Sequence, residues 1–463
     1  MANGLVIAAP RSGSGKTTLT LGLLAALRGR GIAVAPAKTG PDYIDTAILA
    51  RTAGRDAVNL DPWAMSPARL AAIATTHAAD ADLLLVEGVM GLFDGAADGT
   101  GSTADLAATL GLPVILVVDA ERQSQSIAAL VHGFASWRPD VAVAAIIVNR
   151  AASTRHEQML RTALAPLAIP LLGVIPRRDD LVLPDRHLGL VLPGETPGFD
   201  AIVAAAAEAV ADYVDLNRLL ALSAPIDPSP ALRAPSPTRG EGGIEQVASS
   251  FFPSPLVGES GAKRRRRGLA PLGQRLAIAR DDAFAFLYPH WLNDWRAQCA
   301  ELSFFSPLAD EAPAADADAV FLPGGYPELH AARLAAASRF TSGLLAARDS
   351  GALIYGECGG YMVLGETLTD KYGATFPMAG LLPAHTRIDR PKRLLGYRRL
   401  AHDSPLPWPA ELRGHEFHYS SVKRQQHGTP LFAATDALGE ALPPMGVQSG
   451  RVMGSYAHVI DVT

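Results

Sequence analysis

Two short runs far apart in the sequence carry residues able to do chemistry. Ser12-Gly13-Ser14-Gly15-Lys16-Thr17-Thr18 follows the apolar run Leu5 to Ala9 and opens a helical pattern. Such a turn converges backbone N–H donors and a positive helix end on a phosphate, with an ammonium (Lys16) for the β and γ phosphates and a hydroxyl (Thr17) for Mg²⁺. Gly13, Gly15, Lys16, Thr17 and Thr18 are the expected nucleotide contacts. The usual leading glycine is missing, because Ala9 and Pro10 stand there and Pro10 has no N–H to give. About 340 residues later, Gly356-Glu357-Cys358-Gly359-Gly360 follows another apolar run. Small neighbours permit a sharp strand-to-helix turn there, with the Cys358 sulfur facing solvent and its pKa expected to fall at the helix N-terminus. His458 is the expected base, and Gly324 and Gly325, after the apolar run Val320–Pro323, the expected oxyanion donors. That set suits hydrolysis of the glutamine side-chain amide through a thioester.

Carboxylates after apolar runs supply the remaining charge. Glu87 ends Leu83-Leu84-Leu85-Val86, and Asp42 and Asp45 lie in Gly40-Pro41-Asp42-Tyr43-Ile44-Asp45. Thr17, Asp45 and Glu87 are the expected Mg²⁺ ligands. For Asp42 taken alone, a helix cap is the simpler reading. Asn149, closing Ile146-Ile147-Val148, either contacts the nucleotide base or caps the strand end. His415 and His418 form a polar cluster that is structural or substrate-facing, and Cys299 stands at helical spacing where core packing suffices. A buried, inert Cys358 is the competing reading of the thiol, and its flanking glycines argue against it.

These residues need elements to place them. A 463-residue chain exceeds one ordinary core, so two domains and a linker are expected. Hydrophobic residues make up 48% and charged residues 19%, which excludes a disordered chain, and a net charge of −5 gives no reason to expect nucleic acid. No apolar run is long enough for a membrane span, and no basic leader precedes the first strand. Two cysteines exclude a disulfide framework and fit a reducing cytoplasm. Near-continuous apolar runs at Leu5–Ala9, Ala33–Ala37, Leu83–Val86, Val114–Val118, Ala144–Val148 and Leu171–Val174, separated by helical stretches, predict a doubly covered parallel sheet over 1–222. Residues 223–273 read as a Pro/Ser/Arg-rich linker. In it Pro235-Ser236-Pro237-Thr238-Arg239-Gly240-Glu241 is echoed by Pro253-Ser254-Pro255-Leu256-Val257-Gly258-Glu259, before the basic run Lys263–Arg267. A second α/β pattern occupies 274–463, with strands expected at Arg275–Ala279, Ala319–Leu322 and Leu353–Tyr355.

The motifs resemble the corrinoid a,c-diamide synthases of cobalamin biosynthesis, which act on cobyrinic or hydrogenobyrinic acid. The resemblance rests on Lys38–Asp45, Val86–Leu92, Arg186-His187-Leu188-Gly189-Leu190, Leu322–His330, Gly356–Met362 and His415–Tyr419, in that order. It implies a dethiobiotin-synthetase-like, P-loop ATP-binding domain followed by a class I glutamine amidotransferase domain, an α/β chain throughout. It also implies Cys358 as nucleophile, His458 as its activator, and Asp42, Tyr43, Asp94 and Arg186 as contacts of the corrinoid polycarboxylate. ATP and Mg²⁺ are the implied cofactors, L-glutamine the nitrogen donor, and a homodimer is an expectation left open. Two departures stand out. The position two after His458, where class I glutaminases commonly carry glutamate, is Ile460, and the 235–267 repeat is foreign to the pattern. Arg280–Phe286, Ser306–Glu311 and Ser455–Val462 look more like the hydrogenobyrinate branch.

Carboxylates do not react with ammonia directly, so an acyl phosphate is expected, with the two domains packed together to pass ammonia. The remaining carboxylates of a corrin would meet Arg177, Arg178 and Arg186, or Arg387, Arg390, Lys392 and Arg393, unless these are merely solvated. The rival readings are a cobyric acid synthase, a partitioning-type P-loop ATPase, and a binding protein with an inactive second domain.

Overall fold

The computed structural model describes residues 2–183, 185–186, 189–190, 198–226, 268–425 and 428–462, with side chains at 185, 186, 189, 190 and 423–425 left aside. The predicted insertion at 235–267 and the Arg186 side chain lie outside the described residues.

The apolar runs become parallel strands: β1 (Asn3–Ala8), β2 (Val34–Thr39), β3 (Val58–Leu60), β4 (Leu83–Glu87), β5 (Val114–Asp119), β6 (Val143–Ala151) and β7 (Leu171–Pro176). Their order is β3-β2-β4-β1-β5-β6-β7, with a short antiparallel pair at Ala224–Pro225 on β1. β1, β2, β4 and β5 bury nearly every residue, as a sheet covered on both faces requires. The covering helices begin where sequence caps them. Asp42 accepts from the Asp45 N–H, Ser66 precedes Pro67, and Ser102 and Asp105 form a reciprocal capping box. β1 is central, flanked by β4 and β5, so the loops after β1, β2 and β4 open at the carboxyl edge beside the point where strand order reverses.

A second parallel sheet runs Glu301–Phe305, Arg275–Ala279, Ala319–Leu322, Leu353–Glu357, Val452–Ser455, and Val447–Ser449 closes it antiparallel. The expectation of α/β alternation to residue 463 holds only in part. From Thr367 to Asp461 the described regular elements are strands, in a four-stranded and a five-stranded sheet besides the parallel one. Cys299 is also corrected. The helix Pro289–Ala297 ends two residues earlier, and Cys299 is exposed at φ 65° rather than packed in the core.

The two halves are packed together. Arg69 of the first bonds Asp461 at 2.8 Å and also Asp294, all three largely buried. Tyr397 donates to Asp61 at 3.0 Å and stacks on Trp63. Arg69→Leu strands two carboxylates of the second half, Asp461 being 1% exposed. We expect a loss of about 3–5 kcal/mol, read by denaturant unfolding of the full chain. No described helix is long and apolar enough to cross a membrane.

Candidate active site

At the carboxyl edge of the first sheet, Gly13 and Gly15 adopt φ of 78° and 82°. A Cβ on Gly15 would lie 2.2 Å from Asn149 Nδ2, so only glycine fits. Asn149 donates to the Ser14 carbonyl at 3.1 Å and thereby braces the loop. Lys16 donates to the Met90 carbonyl at 2.9 Å; burial chiefly, and Lys38 next, push its ammonium down to about 8. The Thr17 hydroxyl donates to Glu87 Oε1 at 2.6 Å, and the Thr18 hydroxyl to the Leu181 carbonyl at 3.3 Å. Sequence reading missed Arg150, which donates to Gly13 O at 2.8 Å and to Asp119 at 3.0 Å.

It also gave Lys38 no role, although Lys38 is the hinge of the charge cluster. It sits 3% exposed between Asp45 and Glu87, 3.0 Å from the latter. Burial alone would lower its pKa, but Asp45 and Glu87 outweigh that and raise it. Glu87 is fully buried, and its Oε2 has no hydrogen-bond partner. An orphaned carboxylate oxygen beside a threonine hydroxyl fits a Mg²⁺ that takes its other ligands from phosphate and water. Among the described residues no three His, Cys, Asp or Glu side chains converge as a closed metal cage. Asp42 caps the helix Tyr43–Ala53 and lines the cavity described below; burial first, and Asp45 next, push it up to about 7. Asp94 accepts from the Gly91 N–H at 2.8 Å.

In the second half, adjacent parallel strands bring together residues distant in sequence. Glu357 pairs with Ser455, and the Cys358 N–H donates to the Ser455 carbonyl at 2.8 Å, three residues before His458. Cys358 sits at φ 48°, ψ −104°, a conformation costly for a side-chain-bearing residue and suited to a nucleophile's turn. Gly324 backs both groups, since a Cβ there would lie 2.4 Å from the His458 ring and 3.3 Å from Cys358 Cβ. Two expectations about the thiol are overturned. Cys358 is only 5% exposed, and its pKa is raised, not lowered. Burial is the main cause and Glu328 the next, and the Gly359 N–H opposes them too weakly. His415, fully paired in register with His458, stacks on it at 4.9 Å and lies 3.2 Å from the Tyr288 hydroxyl. Burial, then His458, hold His415 well below the usual imidazole range. His418 bonds Glu416 at 2.9 Å, which in turn holds Arg398.

One cavity of about 580 Å³ joins the two halves, lined by Asp42, Tyr43 and Met90 on one side and Glu328, Cys358 and His458 on the other. Tyr43, expected as a substrate contact, packs on Phe286 at 5.2 Å, Tyr288 at 4.3 Å and His458 at 5.2 Å. Glu328, which sequence reading also missed, is pushed up to about 7 by burial. Leu395 and Met90, 60% and 42% exposed, stand at the apolar mouth. Beside it run the exposed Arg390, Lys392 and Arg393, while Arg387 pairs with Asp389. Arg177 and Arg178 pair with Glu121 and Asp180 on the surface and do not line the cavity.

The sequence matches two family profiles: a CobQ/CobB/MinD/ParA nucleotide binding domain over residues 5–191 and a CobB/CobQ-like glutamine amidotransferase domain over 275–461. Its relatives include the hydrogenobyrinate a,c-diamide synthase of Brucella suis biovar 1, 50% identical over 99% of this chain and 98% of that one. The Rhizobium meliloti enzyme of the same name is 50% identical over 99% of both chains, and that of Rhodobacter capsulatus 46% identical over 99% and 98%. A nucleotide-binding half and a glutaminase half, collinear with these relatives over nearly every residue, place the chain in the hydrogenobyrinate a,c-diamide synthase family.

Proposed function

We propose that the chain uses ATP and glutamine to amidate the a and c carboxylates of hydrogenobyrinate, in the cytoplasm. The observation that carries this reading is the single cavity with Cys358 and His458 on one wall and the Asp42–Met90 loops of the phosphate site on another. Lys16, whose ammonium is already drawn toward neutrality, gains its charge fully against a phosphate and steadies the transferring phosphoryl group. Thr17 and Glu87 would hold Mg²⁺, and Asp45 would join them once released by Lys38. The ion neutralises phosphate charge when bound. Phosphoryl transfer converts the carboxylate into an acyl phosphate, a mixed anhydride whose leaving group is phosphate, and ammonia then displaces that phosphate to give the amide.

At the other wall, a buried thiol with a raised pKa is quiet until a base removes its proton. His458 takes that proton, Cys358 attacks the glutamine amide, and Gly324 and Gly325 supply the oxyanion donors. Glu328 is the carboxyl in that cavity suited to the α-ammonium of glutamine. The apolar mouth at Leu395 and Met90 suits the face of a corrin, and Arg390, Lys392 and Arg393 its peripheral carboxylates. Mass spectrometry of products from hydrogenobyrinic and cobyrinic acid, run side by side, tests the assignment. Two successive carboxyl-to-carboxamide changes on hydrogenobyrinic acid are expected, each exchanging OH for NH₂ and so lowering the mass slightly, and amidation at four positions would instead indicate a cobyric acid synthase.

A further inference from the structure

His458 has no carboxylate two residues on, where Ile460 is fully buried and its carbonyl accepts from Trp291 Nε1 at 3.0 Å. The next residue, Asp461, is taken by Arg69. His458 Nδ1 nevertheless faces a charge: Glu357 Oε2 lies 3.7 Å away, both side chains are 1% exposed, and Nδ1 has no hydrogen-bond partner. Glu357 is held in place through its other oxygen, which accepts from the Val459 N–H at 3.0 Å and the Tyr355 hydroxyl at 3.2 Å. One carboxylate oxygen is thus fixed by the backbone next to His458, while the second is turned to the imidazole. A ring rotation shortening the gap by roughly 0.8 Å makes an ordinary N–H···O bond.

We propose that Glu357, the residue directly before the nucleophile, is the third member of the glutaminase triad and positions His458. The inference rests on the glutaminase reading of Cys358 and His458. With its proton on Nδ1 and donated to Glu357, His458 presents an unprotonated Nε2 to the thiol. The S–H bond of Cys358 breaks, an Nε2–H bond forms, and the resulting imidazolium is balanced by the Glu357 carboxylate; the proton later leaves on ammonia. Glu357 touches neither substrate nor sulfur in this scheme and acts through the histidine.

Glu357→Gln tests it with unusual specificity. Because Val459 and Tyr355 both donate to Oε1, the amide oxygen must take that place, and the new NH₂ group faces Nδ1. The ring is then forced into the opposite tautomer, with its proton on Nε2, where it cannot accept one. We expect kcat with glutamine to fall on the order of 1,000- to 10,000-fold with little change in KM. Ammonium-dependent amidation, carried out at the other wall, should persist. In ¹⁵N-histidine spectra the His458 signals, assigned by loss in a His458→Asn variant, should move from the Nδ1–H to the Nε2–H pattern. Glutamine turnover at the wild-type rate, or an unchanged tautomer, overturns the proposal. Should the glutamine variant not fold, Glu357→Asp decides: at least a tenfold loss with glutamine alone supports the role, and full activity rejects it. Failure of the underlying reading looks different, because wild-type Cys358 would then resist labelling by a reactive glutamine analogue.

Discussion

Cys358→Ser is expected to abolish glutamine-dependent amidation and to leave the ammonium-dependent reaction largely intact. The substitution is conservative at a position that tolerates little else. Serine keeps the small side chain at φ 48° and the N–H donated to Ser455, so the turn and the neighbouring strand are preserved. What is lost is the nucleophile, whose oxygen replacement is far harder to ionise and here sits in a site that already disfavours an anion. Loss of a nucleophile that works as a unit with its base typically costs on the order of 10⁶-fold. Adding His458→Asn to Cys358→Ser should therefore cost almost nothing more, since a pair acting on one proton cannot be lost twice. The measurement is product formation with glutamine and, separately, with concentrated ammonium chloride. Loss with both nitrogen sources would falsify the assignment of the thiol to ammonia release alone.

For Glu87→Gln we expect the opposite pattern, a fall on the order of 100- to 1,000-fold with either nitrogen source. Activation of the carboxylate precedes amide formation whichever way ammonia arrives. The variant keeps an acceptor for the Thr17 hydroxyl but removes the buried charge that Lys38 contacts and the unpartnered Oε2. Labelling of Cys358 by a glutamine analogue should survive, because the thiol belongs to the other sheet. A second readout needs no turnover. The rise in melting temperature given by ATP with Mg²⁺ should shrink, while the smaller rise given by ATP alone should change little. Normal turnover on ammonium would return Glu87 to a strand-end carboxylate of no catalytic consequence.

Much of this was legible from residue order. Six strands of the first sheet announce themselves as apolar runs because a sheet buried on both faces leaves no room for alternation. β3 does not, being three residues long with Asn59 at its centre. The sheets after Thr367, one mixed and one antiparallel, were missed for a related reason: a strand such as Ala384–Arg387 is short and half-covered, with polar residues among the buried ones. The Cys358 pKa was misread because a helix N-terminus was weighed without burial, and the helix Gly359–Leu364 is only six residues long. Lys38 hid inside an apolar strand, and its importance depends on Asp45 and Glu87 reaching it from two other elements. Tyr43 could be numbered but not placed, since its neighbours Phe286, Tyr288 and His458 come from the far half of the chain. Glu357 was in plain view in the quoted motif; a carboxylate beside a nucleophile in a chain lacking the customary one after its histidine was the signal to follow.

The buried Arg69 bridge bears on the order of events during synthesis. His458 leaves the ribosome about 100 residues after Cys358, on a strand whose Asp461 needs an arginine made nearly 400 residues earlier. On the reading of Cys358 and His458 as nucleophile and base, the thiol has no base until that strand docks against both Glu411–His418 and the first half. On that reading we expect a nascent chain to leave glutamine untouched, ammonia release waiting until the half that would use the ammonia is docked beside it.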